Sequence, residues 1–445
     1  MSQLTAGAGH IDHGAHGHEA RADLSAQNIT LEPAKGRPLW LLLLAIGIAG
    51  LGITTIVGVV KPDLMKQALA AYHIGAMTAL AISLGALFYV MVFHLTGAGW
   101  SVTIRRQFEN VMILVPLAAL MAFLTFFIEV LTGGHLYAWL NKGVAGSDEL
   151  LHAKAAYLNP LFFTLRGALY FCIWSYLAWR LWSYSTEQDK TGDKWLSNKA
   201  RFTSSWGMPL FALTTAFAAF DWLKSMDYRF FSTMWGVYYF AGAGFCSIPV
   251  VVILLTYIRG QGKLKGLVNE EHYHDLAKIM FAFVVFWAYI GFSQYFLIWY
   301  ANIPEETSFM VARKVAGWQT WTKILMFGHF VAPFYIMLWR PIRRSPVLLS
   351  IMSVYFLLMQ VADMVWIVRP MVYSNEIGEY LRQLDTGGTP TADPIKIKYL
   401  WLDAAGIIGA LGVYFAFVVK KVFSGQLLPT RDPKLPEAIG HKNYV

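Results

Sequence analysis

Residues 220–258 read FDWLKSMDYRFFSTMWGVYYFAGAGFCSIPVVVILLTYI. The second part of this stretch, residues 234–258, is mostly apolar and contains no charged side chain. An α-helix of ~20 predominantly apolar residues is long enough to cross a bilayer. The first part places charged residues, among them Asp221 and Arg229, where one apolar run ends and the next begins. A charged side chain at the end of a membrane-spanning helix is costly unless it is paired or has a function. The stretch therefore predicts a connection between two spanning helices whose charged residues form ion pairs or have a function.

The composition of the whole chain agrees with a membrane protein. Hydrophobic residues make up 56% and charged residues 14% of the 445 residues, whereas soluble domains carry about 25% charged residues. The formal net charge of +9 is typical of cytoplasmic loops that collect Lys and Arg, and we do not take it as a sign of nucleic-acid binding. The lipid bilayer is therefore the first partner that the sequence predicts.

Apolar runs of spanning length predict an all-α polytopic membrane protein with about ten transmembrane helices. The expected spans are 38–60, 72–95, 106–130, 160–183, 203–223, 234–258, 277–301, 320–340, 346–368 and 399–420. The ten-helix domain then covers residues 38–423, between a disordered His-containing tail at 1–37 and a C-terminal tail at 424–445. Loops on the side of both tails hold about twice as many Lys and Arg residues, which predicts cytoplasmic termini.

The sequence contains no motif for the attachment of a c-type haem or an iron–sulfur cluster. The chain has two cysteines, Cys172 and Cys246, and neither belongs to a C-x-x-C-H haem motif or a cysteine cluster. We therefore expect no covalently bound cofactor, no metal site and no catalytic residue in this chain.

Ionisable residues near the predicted helix ends are the candidate functional residues. Chains of acids and His hand protons through membranes, and desolvation changes the proton affinity of such groups. The proton-path candidates on the outer side are His73, Glu129, Arg166, Asp221 and Asp363, and those on the inner side are His94, Glu109, His272, His274 and Asp275.

The alternative is that these residues serve structure, as boundary groups or ion pairs. From their similar depth, we expect Glu129 and Arg166 to pair. Arg105 and Glu109 stand at i and i+4 on one helix, which predicts a stabilising pair. For the residues at 270–278, helix capping and surface pairing compete with a role in proton uptake.

Two stretches carry a resemblance to a known family. Residues 220–245 and residues 271–306 (EHYHDLAKIMFAFVVFWAYIGFSQYFLIWYANIPEE) resemble the F subunits of bacterial alternative complex III, in the polysulfide-reductase NrfD-like family. The resemblance implies two four-helix bundles with flanking helices, in the bacterial inner membrane. It also implies membership of a quinol:electron-acceptor oxidoreductase of the respiratory chain, with this subunit supporting the complex and conducting protons.

The resemblance further implies the partners. They are multihaem c-type cytochrome subunits, an iron–sulfur subunit, a sibling NrfD-like membrane subunit and, as one electron acceptor, a terminal oxidase. Haems and iron–sulfur clusters belong to those partners, and quinol or menaquinol is the substrate of the complex. We identify no quinone-binding motif in this chain.

Two other functions stay open at this point. In the first, the chain itself binds and oxidises quinol, with His73 or Glu129 beside it. In the second, the chain is a stand-alone ion-coupled transporter, which unwound segments in the middle of the membrane would support.

Overall fold

The computed structural model describes residues 23–141, 143, 148–314, 317–385 and 397–443. Within these residues the chain forms ten long helices, which we number α1 to α10 in chain order. Seven are α1 Pro33–Val60, α2 Met65–Thr96, α4 Pro160–Thr191, α5 Trp195–Trp222, α6 Trp235–Gly260, α7 Glu270–Ala301 and α9 Pro346–Val368. The others are α3, divided into Val102–Met112 and Val115–Thr132; α8, divided into Trp318–Ile324, Leu325–Val331 and Ala332–Leu338; and α10 Leu400–Val422.

The prediction of an all-α polytopic membrane protein is confirmed. In the described part of the chain, nine helices are long and apolar enough to cross a membrane, and each contains or closely matches one of the expected spans. The expected span 203–223 is the exception, because it lies in α5, a helix of 28 residues whose first half is rich in Ser, Thr and Gly. Its length of 28 residues still lies between those of its neighbours α4 and α6, which have 32 and 26 residues.

Contacts between the helices define two bundles. Helices α2, α3, α4 and α5 contact one another in a ring and form the first bundle. Helices α6, α7, α8 and α9 form a second ring in the same way, the second bundle. The two rings meet where α2 and α5 pack on α6, while α1 and α10 flank α2. This is the arrangement of two four-helix bundles with flanking helices that the resemblance implied.

Small residues bring the two flanking helices together. A Cβ atom added to Gly50 of α1 would lie 2.8 Å from the Cα atom of Gly409 in α10. Gly47 and Gly412 approach each other in the same way one turn away. Close backbone approach through small residues is a common way to pack helices in lipid, where burial of apolar surface gives little driving force.

The alternating helix directions give the molecule two ends. The terminal end holds residues 23–32, residues 423–443 and the connections that follow α2, α4, α6 and α8. The loop end holds the connections that follow α1, α3, α5, α7 and α9.

Part of the expected N-terminal tail is ordered. Residues 1–22, with the His cluster of the tail, lie outside the described residues. Residues 23–37, however, form the helix Ala26–Ile29 and the start of α1. The backbone N–H of Leu264 donates to the carbonyl of Asn28 at 3.0 Å, and that of Leu427 to the carbonyl of Ile29 at 2.8 Å. The expectation of disorder is therefore wrong for residues 23–37, because tertiary hydrogen bonds compensate for their low apolar content.

Candidate functional site

Asp221 forms an ion pair at the loop end. The Arg166 guanidinium donates from Nε to Asp221 Oδ2 at 2.9 Å and from Nη2 to Oδ1 at 2.8 Å. The Tyr170 hydroxyl donates to Oδ2 at 2.9 Å. Asp221 is fully buried and Arg166 is 8% exposed. A bidentate pair with a third donor satisfies both charges, so the corner between α5 and α6 is held by its own ion pair.

Glu129 does not pair with Arg166, and that expectation is wrong. Its Oε2 atom accepts hydrogen bonds from the backbone N–H groups of residues 135–137, at 2.7, 2.8 and 3.2 Å. After α3 the chain turns at Gly133 and Gly134, which both have positive φ, and this turn directs the N–H groups at the carboxylate. Depth in the membrane, the basis of the expectation, gives no information on such a turn.

His73 connects three elements at the same end. Its Nε2 atom lies 2.8 Å from the carbonyl oxygen of Trp222, the last residue of α5, and its Nδ1 atom lies 3.0 Å from Thr125 Oγ1 on α3. A carbonyl can only accept, so Nε2 carries the proton and Nδ1 accepts from the hydroxyl. The side chain is fully buried, and both ring nitrogens are engaged in fixing α2, α3 and α5.

Glu109 is the centre of an ion-pair network at the terminal end. Arg105 Nε donates to Oε1 at 3.0 Å, which confirms the predicted i,i+4 pair. Ser185 Oγ donates to Oε2 at 2.8 Å, and Arg106 Nε lies 3.3 Å from the same atom. Arg106 also pairs with Asp189 of α4. Glu109 is fully buried, so these partners compensate for its desolvation and join α3 to α4.

His94 lies beside this network. Arg105 donates from Nη2 to Asp432 at 2.6 Å, which ties the C-terminal segment to α3. The charges of Arg105 and Asp432 both act on the His94 ring. The Nε2 atom of His94 is buried and has no hydrogen-bond partner among the described residues. His94 is therefore a buried histidine, with one ring nitrogen that has no partner among the described residues, next to this ion-pair network.

His272 caps the start of α7. The Asn269 side chain accepts hydrogen bonds from the backbone N–H groups of Glu271 and His272, and the His272 ring completes a capping box. The other ring nitrogen, Nε2, lies 2.9 Å from Thr103 Oγ1 on α3. Capping is thus the role that the geometry assigns to His272.

Asp275 and His274 lie one turn further along α7. Asp275 contacts Lys278 Nζ at 2.7 Å and His441 Nε2 at 2.6 Å, so the C-terminal segment also covers this region. His274 Nδ1 is 3.9 Å from Glu271 Oε2 and makes no hydrogen bond among the described residues.

Asp363 on α9 has a different environment from these paired acids. It is 1% exposed. The Tyr238 hydroxyl donates to Oδ1 at 2.5 Å and Trp287 Nε1 donates to Oδ2 at 3.3 Å. No salt bridge reaches it within the described residues. Both donors are neutral, so Asp363 can change its protonation state without leaving a buried cation unpaired.

His329 adds a second protonatable side chain beside Asp363, Tyr238 and Trp287. We call these four residues the Asp363 cluster. It lies on the π-helical segment Leu325–Val331 of α8, fully buried, and neither ring nitrogen has a partner among the described residues. Its ring centroid lies 3.9 Å from that of Trp287, the side chain that donates to Asp363. The sequence gives no sign of the π-helical register, which is frequent at functional sites.

A row of polar side chains leads along α9 to this cluster. Ser350, Ser353, Gln360 and Asp363 follow one another at intervals of 3, 7 and 3 residues, which places them on one side of the helix. Ser350 to Asp363 covers about 20 Å at 1.5 Å per residue. Gln360 is fully buried, and neither atom of its amide group has a partner among the described residues. Of these four residues, only Asp363 is a candidate from the sequence; the helical spacing of the other three is the feature from which the row could have been predicted.

The row continues at the terminal end. Ser350 Oγ donates to Thr256 Oγ1 of α6 at 2.8 Å, and Thr256 Oγ1 lies 3.4 Å from the Tyr273 hydroxyl of α7. Tyr273 immediately precedes His274 in the chain. Hydroxyl groups therefore connect α9 to α7, the helix that carries His272, His274 and Asp275.

Aromatic side chains interrupt the row between Ser353 and Gln360. Phe356 is fully buried on the same side of α9, and its ring centroid lies 4.9 Å from that of Phe245. Phe245 in turn lies 4.4 Å from the ring of His329. Seven residues of helix, about 10 Å, thus separate the polar groups on the two sides of this aromatic pair.

The remaining observations concern metals and similarity to known proteins. In the described parts of the chain, no three His, Cys, Asp or Glu side chains come together as metal ligands. No protein-family model matches this sequence, and no curated protein is significantly similar to it.

Proposed function

We propose that this chain is a membrane subunit of a quinol:electron-acceptor oxidoreductase of the alternative complex III type, and that it conducts protons through its second bundle. The observation that carries the proton role is the buried Asp363, which among the described residues has only neutral donors and lies in one cluster with His329, whose ring nitrogens have no partner there. Buried acids and His residues inside a bundle are the usual components of proton relays.

The route that we propose begins at the terminal end near His274. It follows the hydroxyl groups of Tyr273, Thr256 and Ser350 to Ser353, crosses the aromatic pair, and reaches Gln360, His329 and Asp363. Water that enters between Phe245 and Phe356 would complete the connection. Asp363 lies five residues before the end of α9, about 8 Å from the loop end.

The first bundle has a supporting role in this proposal. Asp221, Arg166, Glu109 and His73 are engaged by partners that join helices, and a proton carrier has to exchange its partners. The corner at Asp221 and the network at Glu109 then act as rigid supports at the two ends of the bundle.

Electron transfer belongs to other subunits in this proposal. Multihaem cytochromes, an iron–sulfur protein and the sibling membrane subunit would oxidise quinol or menaquinol in the bacterial inner membrane. A tagged chain should therefore co-purify with subunits that show haem absorbance and acid-labile sulfide. Purification of the chain alone, from membranes that hold the full set of subunits, would contradict the assignment.

The proton role is tested with Asp363→Asn. In the complex reconstituted into vesicles, we expect the variant to retain its haem content and to translocate fewer protons per electron. Asp363→Glu should restore part of the translocation. Asp63→Asn, which changes an exposed acid at the loop end, is the matched control. Unchanged translocation in Asp363→Asn would contradict the proton role, whatever the co-purification shows.

Two alternative functions have less support than proton conduction within a complex: a quinol site in this chain and a stand-alone transporter. A quinol site at His73 or Glu129 is disfavoured, because both ring nitrogens of His73 are engaged and Glu129 holds a backbone turn. A stand-alone transporter would be supported by unwound segments in the middle of the membrane; α3 is interrupted at Ile113 and Leu114, whereas α8 continues as a π-helix through Leu325–Val331. Ion uptake by vesicles that contain this chain alone would support that reading.

A further inference from the structure

A cleft separates α8, α9 and α10 near the loop end, and neither Asp363 nor His329 is among its lining residues. It has a volume of about 250 Å³, and Trp318, Trp321, Val365 and Ile407 form its apolar walls. Two further lining residues, Leu358 and Leu400, are 60% and 57% exposed. Because these helices cross the membrane, a cleft with exposed apolar residues at its edge opens towards the hydrocarbon chains of the bilayer.

The polar lining of the cleft is the ion pair between Arg369 and Asp403. Arg369 is 1% exposed, its Nε donates to Asp403 Oδ1 at 2.9 Å, and its Nη2 donates to the carbonyl of Lys398 at 3.0 Å. Its Nη1 group is buried and has no acceptor among the described residues. The Nε1 group of the fully buried Trp318 has none there either.

Two buried N–H groups without an acceptor are costly, since each loses its hydrogen bonds to water. Both belong to residues that line one cleft, so a ligand with acceptor oxygens would satisfy them. The charge of Arg369 is already neutralised by Asp403. The ligand's polar group is therefore best an uncharged acceptor, such as an ester carbonyl.

The dimensions of the cleft indicate the rest of the ligand. Arg369 directly follows α9, at the depth where the chain leaves the hydrocarbon core. Leu358 lies eleven residues earlier, about 16 Å closer to the membrane centre. The volume is below the ~300 Å³ at which pockets begin to hold drug-sized molecules. A long, narrow apolar space below a polar group fits a single hydrocarbon chain.

We propose that this cleft binds one acyl chain of a membrane phospholipid, whose ester oxygens accept hydrogen bonds from Arg369 Nη1 and Trp318 Nε1. The lipid then fills the space between α8 and the flanking helix α10. The occupant comes from the bilayer laterally, so the site is filled whether or not the complex turns over.

Three variants test the proposal. Ala404→Phe fills the cleft from an exposed position of α10, and Trp318→Phe removes the Nε1 donor but keeps an aromatic wall. Ala45→Phe makes the same change as the first variant at an exposed position of α1 outside the cleft. The full-length chain is delipidated and titrated with dioleoylphosphatidylethanolamine, and the bound lipids are counted by native mass spectrometry. Crosslinking with a phospholipid that carries a diazirine in one acyl chain locates the site.

We expect Ala404→Phe to lose the tightest-bound lipid and its crosslinks to α8, α9 and α10, while Ala45→Phe retains both. Trp318→Phe should weaken binding roughly threefold to tenfold, as expected for one net hydrogen bond. Equal binding by Ala404→Phe and the control would overturn the proposal, and if Ala404→Phe fails to fold, unchanged binding by Trp318→Phe has the same consequence. Displacement of the lipid by menaquinone-4, with loss of menaquinone binding in Ala404→Phe, would instead make the cleft a quinone site.

Discussion

At the scale of residues, two buried aspartates, one in each bundle, differ in what surrounds them. Asp221 accepts two hydrogen bonds from Arg166 and one from Tyr170, whereas the donors to Asp363 within the described part of the chain are the neutral Tyr238 and Trp287. An acid held by a buried cation stabilises the fold as long as it stays ionised. An acid held by neutral donors can lose or gain a proton at a lower cost to the fold, and this difference separates support from function here.

Asp221→Asn should destabilise the protein strongly. The variant leaves Arg166 as an uncompensated buried charge, which costs about 3–5 kcal/mol in comparable pairs. Thermal unfolding in detergent measures the effect, with Asp63→Asn as a control that stays within about 0.5 kcal/mol. The double variant Asp221→Asn/Arg166→Gln should be more stable than Asp221→Asn alone. A single variant as stable as the wild type would show that the pair contributes no support.

Lys154 gives a pH-dependent prediction at the loop end. Its ammonium group donates to the carbonyl of Tyr228 and lies 3.8 Å above the ring of Phe231. Burial, with a smaller contribution from the charge of Lys224, lowers the pKa of Lys154 from 10.5 to about 8. The unfolded chain therefore binds more protons than the folded one between pH 8 and 10.5, so the cost of burying this ammonium group falls, and the free energy of unfolding rises, as the pH rises through that range.

Lys154→Met removes that dependence. We expect the difference in Tm between wild type and variant to move in favour of the wild type from pH 7.5 to 9.5. Other titrating groups are shared by both proteins and cancel in the difference. A Tm difference that is constant over this range, or that moves the other way, would contradict the lowered pKa.

At the scale of elements, the π-helical segment of α8 decides where His329 points. A π-helix accommodates an additional residue in a turn, so the residues on its two sides are rotated relative to a regular α-helix. In Leu325–Val331 this register places His329 between α7 and α6, with its ring centroid 3.9 Å from that of Trp287. The wide turn is thus what adds a protonatable ring to the Asp363 cluster.

Deletion of Phe327 tests this element. The residue is 55% exposed, and its removal should convert the segment to a regular α-helix and rotate one side of it by about 100°. We expect His329 to lose its contact with Trp287 and the complex to lose proton translocation while it still assembles. Phe327→Ala keeps the register and should translocate normally. Full translocation by the deletion variant would remove His329 from the proposed route.

How far the sequence predicts each element depends on the range of the interactions involved. The spans follow from apolar length, and the Arg105–Glu109 pair follows from i,i+4 spacing, since both depend on local geometry. The pairing of Arg166 with Asp221 does not follow from local geometry, because the two residues lie 55 positions apart in the chain and only helix packing brings them together. The same holds for His329, whose position depends on a π-helical turn that apolar periodicity does not encode.

At the scale of the whole molecule, the C-terminal segment closes the terminal end. Asp432 binds Arg105 of α3, and His441 binds Asp275 of α7. One segment therefore joins both bundles at the end where Glu109, His94 and His274 lie. Residues 23–31 add a second layer, which packs on Leu264 and Leu427.

The charge distribution between the two ends predicts the orientation in the membrane. Lys and Arg residues of the terminal end include those in the last turns of α6 and α10, such as Arg259 and Lys421, and those in the connection that follows α8, such as Arg344. Positively charged connections stay in the cytoplasm during insertion, so we expect the terminal end to be cytoplasmic and the loop end to face the opposite side.

Cysteine labelling measures this orientation. Ser424 is exposed at the terminal end and Asp63 is exposed at the loop end, so each is replaced by Cys in a Cys172→Ala background that keeps the buried Cys246. In spheroplasts, a membrane-impermeant maleimide should label Asp63→Cys at once and Ser424→Cys only after lysis. The reverse order would place His274 on the outer side and Asp363 towards the cytoplasm. The proposed proton route would then run in the opposite direction through the same residues, because its geometry does not depend on the orientation.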